Sequence, residues 1–289
     1  MVHGQCRLCA SDNLRFLQKE VSKGAIYTIV QCRHCDIIQT LEHYDVVSPD
    51  YAKLEIDEID VGRIWCQGQH KIPAYRQWWK SARKLMGTIE HDAKVLDIGC
   101  GTGGFLRFAR NKGLGAFGFD ASRAQIEYAQ KDLPNVRQAI SPKKYLEQIN
   151  QFDLKFDFVV LWDVLEHLRN PLQLLMEIQT LLRPGGYLFV SVPNSNAMLW
   201  KRYIYSFIHK QFTFFPWEHV FYYSSLSLVN YLKKSGYDVV CSSTVACYPR
   251  PFSVFEAIRR LGFLAMKPFP ALAPQISAWA RFEKTDLGC

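Results

Sequence analysis

Residues 95–106 read VLDIGCGTGGFL. A short apolar strand runs into Gly99, Gly101, Gly103 and Gly104, and a helix starts near Phe105. Glycine at these positions lets the chain turn tightly and lets a ligand approach the backbone with no Cβ in between. The next apolar run closes on Asp120, about 20 residues further on, where a carboxylate takes ribose hydroxyls. Outward from the loop, apolar runs at 94–98, 116–119, 136–140, 156–161, 187–192, 237–242 and 276–284 alternate with amphipathic segments. That alternation predicts a doubly wound, Rossmann-like α/β sheet of seven strands. Ser122, Ser141 before Pro142, and Asn170 before Pro171 are read as helix caps, the first opening a helix through Lys131. Arg183-Pro184-Gly185-Gly186 is read as the stop of the helix that begins at Pro171. Ahead of the sheet, Trp78, Trp79, Ala82, Leu85 and Met86 fall at helical spacing over 75–86.

Gly99, Gly101 and Gly104 also satisfy G-x-G-x-x-G, the dinucleotide pattern. Asp97 argues against that ligand. It sits two residues before the first glycine, beside the ligand, where a carboxylate repels a pyrophosphate. The same carboxylate suits a ligand carrying an amino group and a sulfonium.

With these residues in place, the sequence resembles the class I S-adenosylmethionine-dependent methyltransferases. FDFVVLWDVLEHL (156–168) resembles the fourth strand and following turn of the ubiquinone-type and related small-molecule enzymes. LLRPGGYLFVSVPN (181–194) resembles their fifth-strand entry, and WEHVFYYSSLSLVNYLKKSGYDVV (217–240) a later segment. The resemblance spans about residues 90–284. It implies a final antiparallel strand and the methyl donor at the carboxyl ends of the strands. It further implies that Gly99, Cys100 and Gly101 line the methionine end, and that Asp97 orders the loop or the amino group. Asp120 takes the ribose, Ala121 lies beside the adenine, and Trp162 and Asp163 face the donor. One departure is the stretch 138–141, Gln-Ala-Ile-Ser, where many relatives carry an adenine-binding Asp. Each reading has a plainer counterpart: Gly103 and Gly104 serve packing, and Glu166 with His167 holds the turn.

The nine cysteines are an odd number, so they cannot all pair internally. Cys6-x-x-Cys9 and Cys32-x-x-Cys35 stand 22 residues apart and read as two knuckles of a zinc ribbon, with an apolar run at 25–30 as its hairpin. Four thiolates leave no open coordination position, so that zinc is structural. His34 and His43 read as surface residues. The organisation expected is a ribbon at 1–45, a helical connector and site cover at 46–90, and a catalytic domain at 91–289. Insertions fall at 195–223 and 243–275. The first insertion is dense in aromatic residues. The second carries an amphipathic segment, 252–266, that suits a membrane surface or a sheet edge. No apolar leader and no run of about 18 apolar residues is present, which points to reducing cytosol.

Methyl transfer is an in-line displacement that needs orientation and a dry site, plus a base where the acceptor is a hydroxyl. His219 is the first candidate base and His167 the second, since neutral imidazole suits that role. The acceptor expected is a small molecule: a sugar, polyketide-like or quinone-like hydroxyl. A net charge of +8 and the ribbon keep an RNA acceptor in view. Against it, the Asn/Asp-Pro-Pro-aromatic turn used for base amines is absent. A third reading, a fold kept as a non-catalytic binding module, conflicts with the intact Asp97 and Gly101. Hydrophobic residues make up 48% and charged residues 21%, which excludes a disordered chain. The oligomeric state is left open.

Overall fold

The structure is a computed structural model, and it describes residues 4–22, 24–42, 71–245 and 273–282. The segment 252–266, His43 and most of the second insertion lie outside those residues. In chain order the elements are β1 (Leu14–Ser22), β2 (Ala25–Cys32), β3 (Ile38–Thr40), α1 (Ile72–Met86), β4 (Lys94–Ile98), α2 (Gly104–Arg110) and β5 (Gly115–Asp120). Then come α3 (Arg123–Ala129), β6 (Val136–Gln138), α4 (Pro142–Ile149), β7 (Phe156–Trp162), a 3-10 turn (Leu165–His167), α5 (Pro171–Leu181) and β8 (Leu182–Pro193). The last are α6 (Ser195–Phe207), β9 (Phe221–Tyr222), α7 (Ser225–Lys234), β10 (Asp238–Val245) and β11 (Gln275–Arg281).

The large sheet has the order β10-β11-β8-β7-β4-β5-β6. β4 is parallel to β5 and β7, and β7 to β8, whereas β11 runs antiparallel to both β8 and β10. This is the expected seven-stranded, doubly wound sheet with its last strand reversed. The chain leaves β4 toward β5 and β6, then returns to β7 on the other side of β4. Between β4 and β7 the winding reverses, and a crevice opens at the carboxyl ends of those strands.

The alternation of side chains along the strands splits the core in two. Leu96, Ile98, Val159 and Leu161 face α4, α5 and α7. Val95, Phe158, Val160 and Trp162 face α1, α2 and α3. On that second face Trp78 of α1 stacks on Trp279 of β11, with ring centroids 5.6 Å apart. The helix at 75–86 therefore begins a turn earlier, at Ile72, and cements the sheet.

Several local readings shift. The α3 cap holds, with the Ser122 side chain accepting from Gln125 N–H, but that helix ends at Ala129 rather than Lys131. Ser141 accepts from Lys144 N–H. Asn170 does not cap through its side chain; Pro171 alone favours the start of α5. The RPGG run does not end the helix. Leu181 does, and RPGG already belongs to β8, where Leu182 pairs with Phe156. β6 stops at Gln138, which leaves Ile140 exposed.

The largest difference lies in a second sheet, of order β1-β2-β3-β9. Its first three strands are the cysteine-rich segment. Its fourth comes from the insertion 195–223, about 180 residues further along the chain, through Ile38↔Tyr222 and Gln39↔Phe221. Leu17, Tyr27, Ile29 and Ile38 share one apolar cluster with Phe214 and Tyr222. Polar contacts repeat the join. The Arg202 guanidinium donates to Leu17 O at 2.8 Å, Gln18 donates to Phe212 O at 3.0 Å, and Phe214 N–H donates to the Glu20 carboxylate at 2.6 Å. Beyond this join, the outer stretch of α6 leaves Trp200, Tyr203 and Phe207 exposed.

Candidate active site

The crevice is lined first by the glycine loop. Gly99 has φ 74°, a left-handed conformation that L side chains rarely adopt, and an added Cβ would stand 2.7 Å from the Val164 side chain. The loop therefore packs directly under the turn that follows β7. Gly103 meets a different constraint: its φ is 80° and a Cβ would run into Leu133 and Ala129, so it serves helix packing. Cys100 turns inward, with its Cβ against Gly118 and its thiol buried. Its backbone N–H donates to Phe119 O at 3.1 Å.

Asp97 is 2% exposed, and its Oδ1 has no hydrogen-bond partner. Burial pushes its carboxyl well above the usual range; Lys71 opposes this and Asp120 adds to it. A buried acceptor without a donor marks the place of a donor that the protein does not itself supply. Asp120 accepts from Gly101 N–H at 2.9 Å and from Ser122 N–H at 2.8 Å. Burial raises its pKa, and these backbone donors hold the rise in check. Each of its oxygens keeps a lone pair for a diol. Ala121 O accepts from the Gln138 amide at 3.0 Å. The orphaned Asp97 oxygen, the Cβ-free loop and Asp120 fit the ammonium, methionine chain and ribose of S-adenosylmethionine.

Across the turn, Trp162 packs on Tyr75, Phe105 and Phe189 with ring centroids 5.1, 5.6 and 4.7 Å away. Its indole is thus a wall of the aromatic core. Asp163 adopts φ 55° and is held from two sides, by Lys71 Nζ at 2.6 Å and by the Gln275 amide at 2.7 Å. Lys71 and Gln275 were not singled out from sequence. One precedes α1 and the other opens β11, and neither carries a local motif.

His167 and His219 meet with ring centroids 4.8 Å apart, and Glu166 joins them; one ligand atom from each lies within 4.8 Å of the others. His167 Nδ1 lies 2.8 Å from Glu218 O. A carbonyl only accepts, so Nδ1 carries a proton and donates it. Burial, and then His167, pull His219 down to about 4, which keeps it neutral at cellular pH. Glu166 is buried with no hydrogen bond to either carboxylate oxygen, its Oε1 lies 4.0 Å from His167 Nε2, and burial pushes its pKa well up. Its main chain does the holding, since Glu166 O accepts from Val220 N–H at 2.8 Å. The two histidines, 52 residues apart in sequence, are thereby fixed beside one another.

Cys6, Cys9, Cys32 and Cys35 converge so that their four sulfurs lie within 4.8 Å of one another. The Cys6–Cys35 and Cys9–Cys32 separations are 3.5 and 3.6 Å. Those distances are too long for disulfides, whose sulfurs sit about 2.05 Å apart. They are close to the edge of a zinc tetrahedron with Zn–S of about 2.3 Å, roughly 3.8 Å. The donor set fits zinc. Cys6, Cys32 and Cys35 are also part of the main core on the α5/α7 face of the large sheet.

The methyltransferase-domain family matches residues 68–242, more than half of the chain. The chain belongs to that family, within the class I S-adenosylmethionine-dependent methyltransferases. Curated relatives include the ubiquinone biosynthesis O-methyltransferase of Acinetobacter baylyi, 30% identical over 126 residues that cover 41% of this chain and 50% of the relative. The enzyme of the same name from Dechloromonas aromatica is 30% identical over 146 residues, covering 50% of this chain and 60% of the relative. The chain spans about half the length of the curated relatives it matches. Among solved structures, one chain of the complex between the Haloferax volcanii Trm112 methyltransferase activator and a methyltransferase superposes with a TM-score of 0.51. It is 18% identical, covering 78% of this chain and 98% of that one. The plantazolicin methyltransferase BpumL, in complex with a triazolic desmethylPZN analog and SAH, gives 0.50 at 16% identity, covering 80% of this chain and 92% of that one. At these identities the likeness is one of fold.

Proposed function

We propose that the protein transfers a methyl group from S-adenosylmethionine to a hydroxyl of a small-molecule acceptor. The observation that carries this reading is the imidazole pair on the turn after β7, where His167 N–H donates to Val164 O at 3.1 Å and the Val164 side chain lies over Gly99 of the glycine loop. Bound in the loop, the donor supplies an electrophilic methyl on a sulfonium. The protein's part is to hold Asp97 against the ammonium and Asp120 against the ribose, and to exclude water with Trp162, Tyr75 and Phe105. His167, with Nδ1–H tied to Glu218 O, presents Nε2 as the oriented base that takes the hydroxyl proton. His219, neutral and deeper, packs against it and fixes its ring. The O-methyltransferase names of the Acinetobacter and Dechloromonas relatives support a hydroxyl acceptor. The ribbon supports a small-molecule rather than an RNA acceptor, because its β3 edge is already paired with β9.

The four sulfurs are proposed to hold one structural zinc. Among the described residues no cysteine is in a disulfide, and no helix is long and apolar enough to cross a membrane. The free thiols support a cytoplasmic setting. The deciding experiment is a screen of phenolic, quinol and sugar hydroxyl compounds with methyl-labelled donor, beside calorimetry of donor binding and metal analysis. Donor binding with label on a hydroxyl and about one zinc per chain is expected. Label appearing only on RNA, or donor binding unchanged in Asp97→Ala and Asp120→Ala, would overturn the reading.

A further inference from the structure

The cysteine knuckles and the histidine pair are joined by a short, continuous path. The second knuckle folds on itself, with Asp36 N–H donating to Cys32 O at 3.0 Å and Cys32 N–H to Ile37 O at 2.9 Å. Asp36 takes φ 65°, a left-handed conformation that these bonds hold. Ile37 is fully buried, and β3 starts at the next residue. β3 is three residues long and lies between β2 and β9. Its far edge carries Phe221 and Tyr222, and Thr40 N–H donates to Val220 O at 3.4 Å. Val220 N–H in turn holds Glu166 O. The residue before Val220 is His219, whose ring packs on Tyr222 at 5.7 Å and on His167 at 4.8 Å. From Cys35 to Ile38 the chain covers only about 10 Å.

A three-residue strand facing a two-residue strand does not hold its own register; strands this short need a rigid neighbour. On one side that neighbour is β2, which ends on the ligand Cys32. On the other side is the segment that carries His219. The glycine loop has no part in this path. β4 and β5 pair with each other and with β7 and β6, and neither is hydrogen-bonded into the small sheet.

We propose that the metal of the ribbon is a positioning element for the acceptor half of the active site. With zinc on the four sulfurs, β3 is fixed, β9 is fixed on it, and His219 and His167 are held beside the turn at Glu166. Without zinc the donor site persists and the histidine pair loses its register. This rests on the zinc reading above, and assigns Gln39, Thr40 and Tyr222 as positioning residues.

The test uses the full chain in three forms: zinc-loaded, stripped with a chelator, and T40P, which removes the Thr40 N–H bond to Val220 while leaving all four cysteines. Hydrogen exchange is read at 214–223, at 165–169 and at 95–106, with donor affinity by calorimetry and the His219 ring followed by NMR. Stripping should speed exchange at 214–223 and 165–169 by about tenfold or more while 95–106 stays protected. Donor affinity should change by less than about threefold, a free-energy difference under about 0.7 kcal/mol. T40P should reproduce the exchange pattern with zinc still bound. Faster exchange confined to 4–42, or donor affinity and exchange at 95–106 failing together with the rest, overturns the proposal. If stripping unfolds the whole chain, T40P decides: unchanged exchange at 214–223 with zinc bound refutes the coupling. Failure of the loaded protein to bind the donor at all refutes the family chemistry instead, and leaves the exchange result to judge the coupling.

Discussion

The proposed donor side and the proposed acceptor side of this site are built on opposite plans. The donor side is one contiguous run, 95–120, in which a central strand, a glycine turn and the next strand place Asp97 and Asp120 within a single βαβ unit. The acceptor side draws on the first 42 residues, the turn after β7 and an insertion beyond residue 195, and is stitched by a two-residue strand. Contiguous construction makes the donor site depend on local geometry. Dispersed construction makes the acceptor site depend on long-range packing, whose loop-closure entropy has to be offset by tertiary contacts alone.

The contrast can be broken most sharply at the imidazoles. His167→Ala should lower turnover by about 10²–10⁴-fold at saturating donor while calorimetric donor affinity stays within about twofold. Equal losses in both would erase the division between the halves. The converse experiment is Asp97→Ala. It should weaken donor binding by roughly 30- to 100-fold or more, the scale of a lost charge-assisted hydrogen bond, while leaving Tm near the parent value because that carboxylate is costly to bury without its ligand. A marked fall in Tm with intact donor affinity would make Asp97 structural.

How much of this was legible in the sequence follows the same division. The glycine turn and the seven strands of the large sheet read directly, because periodicity and turn chemistry act over a few residues, while the reversed last strand was implied only by the family resemblance. The cysteine pairs read directly too, since each knuckle is local. The small sheet did not. Nothing in FYY at 221–223 announces that it pairs with IQT at 38–40, because a short run of aromatics fits a buried strand, a helix face or a lid equally well. Lys71 and Gln275 escaped for the same reason: their partner Asp163 is 92 and 112 residues away. The helix stop at RPGG failed where tertiary pairing of Leu182 with Phe156 outweighed the punctuation.

Smaller effects sharpen the comparison. Gly99→Ala places a methyl against Val164 in a left-handed conformation and should cost about 1–2 kcal/mol of stability, measured by urea denaturation. It should weaken donor binding as well, since loop and turn are packed together. On the acceptor side, His219 stays neutral in the fold down to about pH 4, whereas the unfolded chain takes up the proton near 6.5. The unfolded state therefore gains protons first, and this residue's contribution is present above pH 6.5 and is lost as pH falls toward 4. It amounts to roughly 3 kcal/mol. Asp97 and Glu166 act in the opposite sense, because burial raises both. The contribution is thus read as the difference in urea stability between the parent and His219→Phe from pH 7 to 4; a difference flat across that range would place His219 in contact with water.

The shared strand also bears on how such a protein can be taken apart. Removing residues 1–42 would do more than delete the four clustered cysteines. It would strip the cover from Phe221, Tyr223 and Leu228, which share a cluster with Cys6, Cys32 and Cys35, and leave β9 as an unpaired edge next to Phe214 and Tyr222. An apolar edge of that kind invites pairing with another chain. The ribbon is therefore not a detachable module that could be transplanted onto a relative or trimmed to improve solubility.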